Sequence, residues 1–188
     1  MATKLTNQMQ RLDATKTSGI DFEARRIYIF GAISDKSAQE LTPGIFMLDE
    51  TPGPIGFHLS TPGGDIDAGL ALYDVIRNCK NPTTTFGRGG VYSIGAVLLQ
   101  AGQKRIMTEN SLLMIHNASF TMSDEELDTT AMHRMNEECK LSNRRIQGLL
   151  TRRSGAAAKQ VARWCAKETY FTAPEALKAG FIDAILED

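Results

Sequence analysis

Short β-branched and aromatic runs bounded by glycine recur along this chain with helix-patterned stretches between them, and that alternation limits the fold more than any other feature. RIYIFG at 26–31 and IGFHLS at 55–60 read as strands. Between them, SDKSAQELTPGIFMLDE has apolar residues at helical spacing despite Pro43. Two strands joined through a helix are set up to pair in parallel. After TPGG, the segment DIDAGLALYDVIRNC puts Ile66, Leu70, Tyr73 and Ile76 on one helical stripe, which Asn81-Pro82 stops. TTTFG reads as the next strand, which turns through Gly89 and Gly90 into a helix over Ser93–Ala101. KRIMT and LLMIH are further strand candidates, separated by Glu109-Asn110-Ser111. The pattern predicts an α/β domain with parallel pairing.

From Ser123 the pattern changes. Ser123 and Glu126 have capping-box spacing, and the charged, helix-favouring residues that follow predict one long helix over about 123–153, ended by Ser154-Gly155. Its apolar stripe would be Leu127, Met132, Met135, Cys139, Leu141, Ile146 and Leu149. AAAKQVARWCA predicts a shorter helix, TYF a strand, Thr172 and Glu175 a second capping box, and FIDAIL a last strand. Residues 1–20 are polar with little periodicity and read as a flexible N-terminal arm, with order beginning near Arg26. The 188 residues suit one domain, over 21–188.

Lys and Arg number 21 against 22 Asp and Glu, with no sustained basic run, which argues against a nucleic-acid partner. Cys79, Cys139 and Cys165 are far apart and show no CxxC spacing, so they read as free thiols rather than a zinc or redox site. With no apolar leader or membrane-length run, the expectation is a cytoplasmic chain without a membrane partner.

The stretch GRGGVYSIGAVLLQAG sets one serine, Ser93, between glycines and an apolar helix. A hydroxyl there is either an ordinary N-cap or a nucleophile beside free N–H groups and the positive end of a helix dipole, with the Ile94 amide placed to donate to a developing oxyanion. Val91 stands where G-x-S-x-G would have its first glycine, so the motif alone does not decide. Pro62, Gly63 and Gly64 allow either a tight turn or a close backbone approach to a ligand. Of the three histidines, His58 lies within a strand and His133 within the long helix, whereas His116 ends a strand just before a loop. A general base needs to reach the serine and be oriented by a third group, so His116 depends on its company.

Together, STPGGDIDAGLALYDVI, YSIGAVLLQAGQKRIMTENSLLMIH and YFTAPEALKAGFID closely resemble the ClpP serine peptidases, the proteolytic subunit of the Clp protease, over about residues 26–186. The resemblance implies a ClpP/crotonase-like fold of repeated β-β-α units with a long protruding handle helix. It implies Ser93 as nucleophile, His116 as general base and the amides of Gly64 and Ile94 as the oxyanion hole. The triad acid falls on Glu168, where the family normally has aspartate, with Asp183 in reserve. No metal or other cofactor is implied in this chain; ATP would be used by a partner AAA+ unfoldase. The implied assembly is a heptameric ring, in the family stacked as a tetradecamer, acting on unfolded polypeptide. After His116 the chain has NASFTMSDEE in place of the family's Gln-Pro and glycine-rich strand. Positions aligned with the family's apolar docking pocket include His58, Arg88 and Thr108, which would weaken an apolar loop contact.

ENSLLMIHN and ETYFTAPEA also resemble the ClpP-related head-maturation proteases of tailed phages. Two readings compete with a working peptidase. One is a non-catalytic ClpP-like ring subunit, which the Asp-to-Glu departure favours. The other is an acyl-CoA enzyme of the crotonase superfamily, which would turn over thioesters and does not rely on this serine and histidine pair.

Overall fold

The computed structural model describes residues 2–119 and 129–186. It begins with helix α1 (Ala2–Ser18), strands β1 (Ile20–Asp21) and β2 (Arg26–Phe30), helix α2 (Asp35–Asp49), strand β3 (Ile55–Thr61) and helix α3 (Ile66–Arg77). Strand β4 (Thr83–Tyr92) runs into helix α4 (Ile94–Leu99), followed by β5 (Lys104–Thr108) and β6 (Leu112–Ile115). Helices α5 (Thr129–Ser154) and α6 (Ala158–Ala166) lead to β7 (Thr169–Thr172), α7 (Ala173–Lys178) and β8 (Ala184–Leu186).

Strands β2, β3, β4, β5 and β8 lie side by side in parallel, as the helical crossovers require. The ends of the sheet depart from this rule: β1 is antiparallel to β2, and β7 to β6. Strand β4 changes neighbours along its length. Thr84–Gly87 pair with β5, whereas Gly90–Tyr92 pair with β6, so the far half of β4 leads away from β5 and toward the strand that ends at His116. Helices α2, α3 and α4 pack in succession, and Phe57, Leu72, Ile94 and Leu98 are among the fully buried side chains of the core. This is a mixed α/β architecture, as expected from the alternation of elements.

Three local readings are corrected. Residues 2–18 are helical rather than an irregular arm, and order begins well before Arg26. An amphipathic stripe is not what holds this helix: Arg11 donates to Asp21 through Nε (2.9 Å) and Nη2 (2.6 Å) and lies 2.7 Å from Glu23, and Gly19, at φ 70°, ends the helix. The glycines after TTTFG do not end the strand: its register with β3 shifts at Gly89, φ 61°, and β4 continues to Tyr92. In the long helix, residues 123–128 lie outside the described residues, as does the Ser123/Glu126 capping box. Of the apolar stripe, Ile146 is buried and Leu149 packs against the core, yet Met132 and Leu141 are half exposed and Leu150, outside the stripe, is fully buried. Only the second half of α5 is embedded. Among the described residues no helix is long and apolar enough to cross a membrane.

Besides the ladders of β7 and β8, one guanidinium ties the carboxy-terminal part to the sheet. Buried Arg105 donates Nε to Asp183 (3.0 Å) and Nη1 to Gln100 (2.7 Å), the Gly180 carbonyl (2.9 Å) and the Arg153 carbonyl (3.0 Å). The Asp183 carboxyl is thereby held below the usual aspartate range, chiefly by its hydrogen bond with Arg105. Asp183 is thus a structural counter-ion and makes no hydrogen bond with His116.

His58 sits in β3 between two rings, 5.3 Å from Tyr28 and 4.7 Å from Phe86, and its Nδ1 accepts from Arg88 Nε at 3.2 Å. Burial, then the charges of Arg88 and Arg26, push its pKa down from 6.5 to about 4. The unfolded chain binds this proton more readily, so the stabilisation is fully present above pH 6.5 and is lost as pH falls to about 4. The loss is expected to reach about 3 kcal/mol. Denaturant midpoints measured across that window should flatten in His58→Phe, and an unchanged slope would refute the assignment.

Candidate active site

The turn from β4 into α4 is made by Ser93 alone, at φ 57° and ψ −125°. A non-glycine residue there carries a backbone strain of about 1–3 kcal/mol. It is held by the Ser93 amide, which donates to the Met114 carbonyl at 2.9 Å, and by α4, all of whose side chains are buried. The hydroxyl does not cap the helix. Ser93 Oγ lies 2.7 Å from His116 Nε2 instead, which removes the ordinary N-cap reading. His116 follows β6 directly, and pairing of Val91 and Tyr92 with Leu113 and Met114 sets the two residues at adjoining strand ends.

The glycines of TPGG are needed for close approach. A Cβ on Gly63, at φ 98°, would come within 2.6 Å of Ser93 Cβ, and one on Gly64, at φ 148°, within 2.1 Å of the Ile33 carbonyl. Gly64 bridges Ile33, with the Ile33 amide donating to Gly63 and the Asp65 amide to Ile33. Among the described residues the Gly64 and Ile94 amides have no partner; Ile94 opens its helix, where no intrahelical acceptor exists. Gly64, Ser93 and His116 line one cleft of about 720 Å³.

Asp65, Asp67, Glu138, Leu141 and Arg145 form more of its wall. Arg145 spans from α5 to Asp67 at 3.1 Å, and Asp65 caps α3 by accepting from the Ala68 amide. The ladder of β6 with β7 ends at Ile115 opposite Thr169, one residue short of His116 and Glu168. The Glu168 side chain turns elsewhere. Exposed Glu168, at φ 51°, accepts from the Tyr170 hydroxyl at 3.2 Å and makes no hydrogen bond with His116. Desolvation, then this carboxylate, raises the Tyr170 phenol above its ordinary range.

Of the docking-pocket positions, His58 and Arg88 share a hollow of about 380 Å³ with Phe86, while Thr108 bonds to Ser111 at 2.6 Å outside it. Cys165 is buried, and Cys79 and Cys139 are partly so; all three are free thiols, and burial pushes Cys79 and Cys165 up to about 11. Among the described residues no three His, Cys, Asp or Glu side chains gather as metal ligands. Arg145, Asn143 and Gln147 carry little signal in the sequence beyond being polar residues of a half-buried helix, the last two four apart on one face.

A strained serine at a strand-to-helix turn, bonded to a histidine and flanked by two free amides, has the parts of a serine hydrolase site. A family model described as Clp protease matches residues 8–188. Similar curated proteins include ATP-dependent Clp protease proteolytic subunit 2 of Tropheryma whipplei (strain Twist), 31% identical over 182 residues, covering 93% of this chain and 98% of that one. Subunit 2 of Treponema pallidum (strain Nichols) is 31% identical over 169 residues, covering 88% and 83%. Subunit 1 of Chlamydia abortus (strain DSM 27085 / S26/3) is 33% identical over 172 residues, covering 87% of each. The chain belongs to the Clp protease family, and its class is that of the ClpP-type serine peptidases.

Because Gly63 leaves no room for a methyl group, Gly63→Ala is expected to displace Ser93 and slow its reaction with a fluorophosphonate by about 100-fold. Intact-mass labelling kinetics on the folded variant would check this; a wild-type rate would show that Ser93 does not depend on that approach.

Proposed function

We propose that Ser93 is the nucleophile of this peptidase and His116 its general base; the observation that carries this is the 2.7 Å contact between Ser93 Oγ and His116 Nε2. His116 takes the hydroxyl proton as Oγ attacks a peptide carbonyl, and the Gly64 and Ile94 amides stabilise the oxyanion. The imidazolium then protonates the leaving amine, and water, deprotonated by the same ring, hydrolyses the acyl-enzyme. Glu168 is the third member: it directly precedes Thr169, which pairs with Ile115 at the end of the ladder, and its carboxylate, once released from Tyr170, orients the His116 ring. The reaction uses no metal or nucleotide on this chain.

The substrate is unfolded polypeptide in the cytoplasm, the assembly a heptameric ring that pairs into a tetradecamer, and ATP is spent by a partner AAA+ unfoldase. These parts rest on family membership and on relatives named as proteolytic subunits of an ATP-dependent protease. His58 and Arg88 make the hollow on the sheet charged, which favours an unfoldase loop that is not purely apolar. One observation favours a second reading, a ring subunit that contributes little hydrolysis: the Glu168 carboxylate is engaged by Tyr170.

Fluorophosphonate labelling followed by intact mass separates the two. The triad reading expects one adduct on the wild type, none on Ser93→Ala, and labelling slowed by about 100-fold or more on Glu168→Ala. An unlabelled wild type would leave the ring-subunit reading.

A further inference from the structure

We propose that Asn143 and Gln147, two side chains of α5, are positioning residues that hold His116 in line with Ser93. The inference rests on the reading of His116 as general base.

His116 lies just past the last paired residue of β6, since the ladder with β7 stops at Ile115. Its Nε2 meets the serine, and among the described residues no side chain bonds its other ring nitrogen. With no described side chain on that nitrogen in this arrangement, the ring depends on its backbone for orientation. The next two residues are tied down by three hydrogen bonds, two from their backbone amides and one to the Asn117 side chain. The Asn117 amide donates to the Cys165 carbonyl at the end of α6 (3.0 Å), and the Ala118 amide donates to Asn143 Oδ1 (2.7 Å). Gln147 Nε2 donates to Asn117 Oδ1 (2.9 Å). Asn143 and Gln147 are four residues apart and so share one face of α5. The helix that carries them is fixed at the same level by Ile146 and Leu150, which are buried in the core. A rigid helix thus reaches the two residues after the general base through two amide side chains.

If these bonds only stitch a loop, their loss lowers stability and leaves chemistry alone. If they position the imidazole, they alter the step in which it accepts a proton and leave substrate binding alone. Both side chains are partly exposed, so replacing them opens no core cavity.

The test compares Asn143→Leu, which removes the acceptor at similar volume, Gln147→Met, which removes the donor, and Asn143→Asp, which retains the acceptor. The readouts are kcat and KM on a fluorogenic peptide, the fluorophosphonate labelling rate and the thermal midpoint. The expected result is a fall of about 10- to 100-fold in kcat and labelling rate for Asn143→Leu and Gln147→Met, with KM unchanged and most of the loss recovered in Asn143→Asp. Wild-type kcat in both apolar variants, or an equal loss in Asn143→Asp, would overturn the positioning role while leaving the peptidase reading intact. A wild type that neither labels nor cleaves would overturn the peptidase reading itself, and this inference with it.

Discussion

Ser93 occupies a backbone conformation that a residue with a side chain avoids, and the surrounding structure is arranged so that it cannot leave. Its amide is bonded to the Met114 carbonyl, Ile94 on its far side is buried, and Gly63 lies where any larger residue would strike its Cβ. Relaxing the turn would pull α4 out of the core, at a cost well above the strain it relieves. The strain therefore persists and keeps the hydroxyl off the helix end, free to meet His116.

The partner histidine is delivered by the sheet. Because β4 exchanges β5 for β6 halfway along, the strand that leads into Ser93 runs beside the strand that leads into His116, and ladder register fixes how far along each residue stands. The same ladder ends at Ile115 and Thr169, the sequence neighbours of His116 and Glu168. Elements that follow β6 in sequence are kept close by the Arg105 node, whose guanidinium binds Asp183, Gln100 and the carbonyls of Arg153 and Gly180. A buried guanidinium satisfied at so many points resists sliding, since breaking any one contact would leave a polar group stranded.

Much of the fold was legible because strands and helices differ in period, and the runs at Arg26, Ile55, Lys104 and Leu112 are unambiguous in that respect. Ser93, His116, Gly64 and Ile94 were legible as a set through motif order, although each residue alone had an ordinary explanation. The failures have physical causes. In residues 2–18 the apolar side chains of Met9 and Leu12 stay exposed, and the helix is secured by Arg11 on Asp21 and Glu23, ion pairs that no periodicity announces. The glycine run in β4 suggested a turn, but it makes only an irregularity at Gly89, φ 61°, because pairing of Gly87 before it and Val91 after it with β3 keeps the strand going. Asn143 and Gln147 look like solvated helix residues until the loop after β6 is seen beneath them.

By itself, the sequence determined the alternation of elements, the parallel sheet that follows from it, and the candidate residues of a serine peptidase site, because these depend on local period and on motif spacing. Tertiary structure alone decided the orientations. The serine hydroxyl faces a histidine rather than its own helix, the Glu168 carboxylate faces a tyrosine, and Asp183 is committed to Arg105. The reason is that a side chain's partner is set by strand register and by which distant carbonyls and amides packing brings within about 3 Å, and neither is encoded in its neighbours along the chain.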